Sequence, residues 1–424
     1  MSRWHALRRD TALRGTAGSI AAGGALQLIV AASGIIAARL LGVTDRGHLA
    51  LLWVLTLVVG QLSTLGLHVS IAFQIAGGAE SGAVFARLRG VIALQLVAAA
   101  GVEAAVVVPV LGGVRGLSAA ALVVTIVAAP SFVLLLHGLA IAQGQRRYRR
   151  VQLHRLVQPC LYVAVLVVLA ATGEGRLSTV SAGWGITMMI GGLFAWRQCL
   201  GAWWPAATSA PGPSARSMLS FGVRSLFSAF GVVEHLQADQ LLVGLLLGAH
   251  QFGLYVAGSA FANLPRFLGQ SVGYIAYPEV TAAPPERRRT ALVRFVAIGT
   301  AVVVPVVAAL IALLGWLLPL LFGHAFTDAV PVGRILLVAA LATALRRVAA
   351  EALRGFGSGG SATWAELSFI VVFAAAVAPL ISWHQAVGAA VALLGASVVA
   401  VLVLLALSRR AQATRERYAR APAV

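Results

Sequence analysis

The chain has 424 residues, of which 60% are hydrophobic and only 11% charged, with a mean hydropathy of +0.91. Soluble domains carry about 25% charged residues, so an ordinary soluble domain is excluded and a membrane protein with many crossings is indicated. The formal charge of +19 comes from arginine alone, since the chain has no lysine.

The basic start "MSRWHALRRDTALRG" leads into an apolar run too long for a signal peptide and reads as the flank of an uncleaved first helix. Apolar runs then follow at Gly18–Leu41, His48–Ala76, Gly90–Leu111, Leu117–Gln143, Val151–Ala171 and Leu177–Trp196. A second series covers Met218–Leu247, Gln251–Tyr277, Ala291–Leu318, Val330–Leu353, Thr363–Ile381 and Gln385–Leu407. Each run is long enough to cross a hydrocarbon core. The fold class is therefore an all-α polytopic membrane protein of about twelve transmembrane helices.

The arginines settle the orientation. Counting outward from the N-terminal tail, alternate connections hold 25 of them, with Arg346 and Arg347 taken together with the connection after the tenth helix. The other connections hold only Arg39, Arg46, Arg115, Arg176 and Arg334. By the positive-inside rule both termini are expected in the cytoplasm, with the chain multi-pass in the cell (inner or plasma) membrane. "QRRYRR" (Gln145–Arg150) and "PERRR" (Pro285–Arg289) then serve as topology signals and as contacts for anionic headgroups, not for nucleic acid. Cys160 and Cys199 fall near expected cytoplasmic helix ends, and neither a disulfide nor a metal site is indicated. Without lysine there is no phosphate-binding GxxxxGK motif, so ATP hydrolysis within this chain is not the expected motor.

The polar, proline-rich stretch "AWWPAATSAPGPSARS" (Ala202–Ser217) divides the runs six and six. This predicts an N-terminal lobe over residues 1–200, a cytoplasmic linker over 201–217 and a C-terminal lobe over 218–424 that ends in a short basic tail. Each lobe carries the same pattern between its first and second helix: "LLGVTDRG" (Leu40–Gly47) and "LLGAHQFG" (Leu246–Gly253). Six helices per half give the halves the same orientation, related by a pseudo-twofold along the membrane normal.

At helical spacing, Tyr255, Ser259, Asn263, Arg266, Gln270, Gly273 and Tyr277 fall on one stripe of the eighth helix. The seventh does the same with Arg224, Ser228, Gly231, His235 and Asp239, beside Glu234. Gln27 marks a stripe on helix 1, and Gln61, Thr64 and His68 one on helix 2. Such stripes avoid lipid, because an arginine at a helix centre costs at least about 2.5–3.5 kcal/mol there. They face either a cavity or one another; Arg224, Glu234, Asp239 and Arg266 also read as a buried ion network that fixes packing, but the four stripes fit a central cavity between two bundles better. Pro265 and the nearby glycines predict a locally broken helix. Glu103, alone in helix 3, reads as a paired carboxylate or as an ion-coupling group. His68 and His235 read as hydrogen-bond partners, since no ligand set surrounds either.

Four blocks carry a family resemblance: "ARLLGVTDRGHLALL" (Ala38–Leu52), "ADQLLVGLLLGAHQFGLYVAGSAFANLP" (Ala238–Pro265), "YPEV" (Tyr277–Val280), and the stretch from "LLPLLFGHAF" to "ALRGFG" (Leu317–Gly357). The chain resembles the polysaccharide-exporter branch of the multidrug/oligosaccharidyl-lipid/polysaccharide (MOP) superfamily, closest in type to O-antigen (Wzx-type) flippases. That resemblance implies a two-lobed transporter with a cavity lined by helices 1, 2, 7 and 8. It also implies a lipid-linked oligosaccharide as cargo, membrane lipids and glycan polymerase or ligase machinery as partners, and no catalytic residues.

The cavity residues are then Arg266, Arg224, Asn263, Gln270, Tyr274, Tyr277, Ser259, Gln27, Gln61 and His68. The coupling candidates are Asp239, Glu234, His235 and Glu103, with H⁺ or Na⁺ as the ion and no other cofactor. Lipid-II-type or multidrug exporters of the superfamily, and a polytopic glycan polymerase or ligase, are the alternative readings.

Overall fold

The computed structural model describes residues 2–201, 214–228, 237–355 and 359–420, with side chains over 22–201, 214–225, 237, 239–284, 286–354 and 363–407. Among these residues the elements are all helical: α1 (Ser2–Ser63), α2 (Leu67–Ala76), α3 (Ser81–Leu111), α4 (Ala119–Gly144), α5 (Tyr148–Thr172) and α6 (Leu177–Leu200). They continue as α7 (Ala215–Ser228), α8 (Ala238–Leu246), α9 (Ala249–Ala282), α10 (Arg288–Phe322), α11 (Ala329–Gly355) and α12 (Gly359–Arg420).

Among the described residues, eight stretches are long and apolar enough to cross a membrane. Two of them, Ala22–Ser63 and Thr363–Leu407, have 42 and 45 residues, about twice what one crossing needs at about 1.5 Å per residue. Each is interrupted by non-helical backbone, at Gly42 (φ 72°, ψ −176°) in α1 and at His384 and Gln385 in α12. Only glycine takes the Gly42 geometry without strain, and it stands at the joint expected after Leu41. With these two divided, and with α9 and the pair α7 and α8 added, the elements match the twelve expected helices.

Two local expectations are corrected. The second helix does not run unbroken from His48 to Ala76: it stops at Ser63 and restarts at Leu67, with Leu65 (φ 47°) and Gly66 (φ 69°) in left-handed backbone. The eighth helix does not break at Pro265, because α9 continues through both Pro265 and Pro278. A proline removes one N–H and bends a helix without ending it when neighbouring helices hold both sides.

Packing divides the chain into two units, Met1–Leu241 and Leu242–Val424. Helix α7, assigned by sequence to the second lobe, packs within the first unit. Phe221 stacks on Phe73 with ring centroids 5.0 Å apart. Gly222 meets the backbone opened by the helix break, where a Cβ would lie 2.8 Å from the Gly66 carbonyl carbon. Elsewhere in this unit α4 and α6 approach closely; a Cβ on Gly192 would come 2.1 Å from the Ser131 carbonyl oxygen. The apolar core of this half includes Leu67, Ile71, Leu88, Ile92, Trp196 and Met218.

In the second unit α9 and α11 run side by side. Gly258 meets Gly333, Gly269 meets Ala344 and Gly273 meets Glu351. The first two pairs have the same separation in sequence, so the helices are parallel and in constant register. A Cβ on Gly269 would stand 2.6 Å from that of Ala344.

Candidate functional site

In the first unit the helix break organises a buried polar chain. The Thr64 hydroxyl donates to the Gln61 carbonyl (2.7 Å) and lies 3.0 Å from His68 Nδ1. With its single proton on the Gln61 carbonyl, the Thr64 oxygen accepts from His68 in the tautomer protonated at Nδ1. The Thr64 carbonyl accepts from Gln95 Nε2 (2.9 Å), and Gln95 Oε1 lies 3.0 Å from His137 Nε2. A carbonyl only accepts, which fixes the Gln95 amide and puts the proton of neutral His137 on Nε2. His137 Nδ1 is left as a buried acceptor with no partner among the described residues. His137 also lines a small cavity with Ser81, Ile71, Ile92, Ile141 and Trp196.

Further along α3, Glu103 is fully buried. Thr56 Oγ1 stands 2.5 Å from Glu103 Oε1 and 3.0 Å from the Leu52 carbonyl. One hydroxyl proton serves two acceptors. When Glu103 is ionised, Thr56 donates to it; when Glu103 is protonated, it can donate to Thr56, which turns to Leu52. The same geometry therefore holds either protonation state.

Among the other predicted residues of this unit, Gln27 and Gln61 are half-buried and Arg224 is exposed on α7. Asp239 is buried in the first turn of α8. Glu234 and His235 lie outside the described residues, so the ion network proposed for Arg224, Glu234, Asp239 and Arg266 does too. The sequence reading missed Thr56, Gln95 and His137; each is a lone polar residue in an apolar run, and that solitude is the only signal they offer. Arg46, counted with an external connection, is instead folded into the unit and only 5% exposed.

In the second unit the stripe on α9 divides. Tyr255 and Ser259 are buried, and the Ser259 hydroxyl donates to its own helix at Val256 O (2.9 Å). Asn263, Arg266 and Gln270 are half-buried, whereas Tyr274 and Tyr277 are exposed. Gln270 Nε2 donates to the Tyr274 hydroxyl at 2.8 Å. The lower part of α9 thus presents a guanidinium, two carboxamides and two phenols along one side.

Beside it, α11 carries charges that were expected in a connection. Arg346 and Arg347 are corrected to interior positions, each less than a tenth exposed. Arg346 pairs with Glu366 of α12 and lies over the Phe369 ring. Glu351 accepts from Arg354 Nη1 (2.9 Å) and stands 3.4 Å from Arg347 Nε. Two carboxylates offset these guanidiniums, which is why burial inside the unit is tolerated. Among the described residues no cluster of His, Cys, Asp and Glu could hold a metal.

The profile of a family described as "Polysaccharide biosynthesis protein" matches residues 36–331. No curated protein matches the sequence. Among solved structures, the fold is similar to an inward-facing multidrug resistance MATE family transporter of the MOP superfamily (TM-score 0.73, 16% identity, 92% of this chain and 96% of that one). It is also similar to the lipid II flippase MurJ in an inward closed conformation (TM-score 0.71, 11% identity, 92% of this chain and 86% of that one). An outward-facing MATE structure matches with a TM-score of 0.58 at 16% identity, over 95% of this chain and 96% of that one.

Proposed function

The chain belongs to the polysaccharide biosynthesis protein family, and from that premise we propose that it is a flippase. Its cargo is a polyprenyl-pyrophosphate-linked oligosaccharide, moved from the cytoplasmic to the outer leaflet by alternating access for cell-surface polysaccharide assembly. The termini face the cytoplasm, and glycan polymerase or ligase machinery takes up the product.

One observation carries this reading: half-buried Arg266 on α9 lies along one side with Asn263, Gln270, Tyr274 and Tyr277. A guanidinium binds phosphate oxygens through a fork of parallel donors. Carboxamides and phenols bind hydroxyl-rich glycan, and the long lipid tail needs no site inside protein. Coupling to an H⁺ or Na⁺ gradient uses a buried carboxylate, for which Glu103 offers a hydroxyl that supports both of its protonation states. Asp239, Glu234 and His235 form the second candidate group.

The test is flipping of a fluorescent polyprenyl-pyrophosphate oligosaccharide in proteoliposomes, read with a membrane-impermeant quencher. Arg266→Ala abolishes flipping at normal membrane abundance, and Arg266→Lys restores only part of it. Normal flipping by Arg266→Ala overturns the phosphate role, and disappearance of the protein assigns Arg266 to packing. Glu103→Gln, Asp239→Asn and Glu234→Gln are then compared under imposed pH or Na⁺ gradients; the coupling residue is the one whose loss keeps downhill flipping but removes the gradient response.

A further inference from the structure

We propose that the first unit binds a small monovalent anion, chloride in the simplest case, against the guanidinium of Arg46. Arg46 is 5% exposed, and its Nε and Nη1 are buried with no hydrogen-bond partner among the described residues. Among the described residues no carboxylate pairs with it. Asp45, its neighbour, is partly exposed and lies 3.5 Å from His48 Nδ1, while Glu103 is held by Thr56 on α1. What faces Arg46 is aromatic: its guanidinium carbon stands 5.0 Å from the Trp53 ring centroid, and Trp53 packs against Tyr162 at 5.6 Å and Trp184 at 5.8 Å. The face of an indole attracts a cation but falls well short of replacing its water.

Three further features favour an anion there. Arg46 occupies the first turn after the Gly42 joint, where the N-terminal end of a helix is already positive. A cation there gains nothing from the helix dipole, and the one carboxylate of the same turn, Asp45, leans to His48. The Trp53 indole N–H and the Tyr162 hydroxyl belong to the same cluster and are likewise buried with no hydrogen-bond partner among the described residues, as is the hydroxyl of Ser181 one turn before Trp184. These are groups able to donate to an anion. Finally, the fold does not require a charge at this position, because the matching joint "LLGAHQFG" places Phe252, 1% exposed, where "LLGVTDRG" places Arg46. With Tyr162 only 2% exposed, the cluster is shut off from solvent, which suits a small single ion and not a lipid phosphate.

The purified full-length chain in detergent tests this through its thermal unfolding midpoint in sodium chloride or bromide against sodium gluconate at equal ionic strength. A ligand that binds only the folded state raises the midpoint saturably, so the halides stabilise the wild type by several degrees. Arg46→Met loses the halide dependence and in gluconate unfolds no earlier than the wild type, since the bare charge has gone. Equal midpoints in chloride and gluconate for the wild type overturn the proposal, as does a halide shift that persists in Arg46→Met. Bromide quenching of tryptophan fluorescence decides the case if that variant fails to fold. A saturable component present in the wild type and absent in Trp53→Phe supports the site, and a purely linear quench in the wild type overturns it.

Discussion

The joints at Gly42 and Gly248 share a sequence pattern and are filled in opposite ways. After Gly42 the first unit buries Arg46 beneath Trp53; after Gly248 the second buries Phe252, stacked on Tyr255 with centroids 6.4 Å apart. The contrast extends through both interiors. Among the described residues of the second unit, buried Glu351 is paired with Arg347 and Arg354, and half-buried Glu366 with Arg346. In the first, Glu103 meets the Thr56 hydroxyl and Arg46 the Trp53 ring, and neither forms an ion pair among the described residues. Paired charges hold helices together; solitary ones stand ready to take a proton or an ion.

That contrast is open to direct attack by mutation and thermal unfolding. Glu351→Ala strands Arg347 and Arg354 inside the second unit and lowers stability by about 3–5 kcal/mol, the cost of removing one partner from a buried pair. Gln95→Leu in the first unit unseats both the Thr64 carbonyl and His137 Nε2, costing about 1–3 kcal/mol. Glu103→Gln copies the protonated carboxyl, keeps the Thr56 bond and changes stability by less than about 1 kcal/mol. If Glu103→Gln costs as much as Glu351→Ala, the distinction between paired and solitary charges fails. A stabilising Glu103→Gln sharpens it, by showing that the solitary carboxylate is kept at a cost.

The spans were legible because a bilayer imposes a length and forces the backbone to satisfy itself in helices. Joints at Gly42 and Gln385 likewise fell where glycine or polar residues interrupt apolar runs. Long-range polar pairs left no such trace: Glu103 and Thr56 lie 47 residues apart, and Gln95 and His137 lie 42 apart. Arg346 and Arg347 were misplaced because the positive-inside rule counts charges near helix ends and is blind to a carboxylate such as Glu366 on the next helix. Spacing gave the stripe on α9 its side but not its surroundings. Every residue from Phe252 to Ser259 is buried, so the upper part has no single exposed face, and only the lower part keeps the asymmetry that spacing implies.

The glycine contacts between α9 and α11 also constrain how cargo can be carried. Where Gly258 meets Gly333 and Gly269 meets Ala344, the two backbones interlock like a key in its wards. Axial slippage by less than a helical turn, about 5.4 Å, would drive side chains of one helix into the backbone of the other. The pair therefore behaves as a single strut, with Arg266 carried on α9 and Arg346, Arg347 and Glu351 on α11. A displacement of α9 at Arg266 then carries α11 and its ion pairs along with it, unless α9 flexes at Pro265, one residue before Arg266.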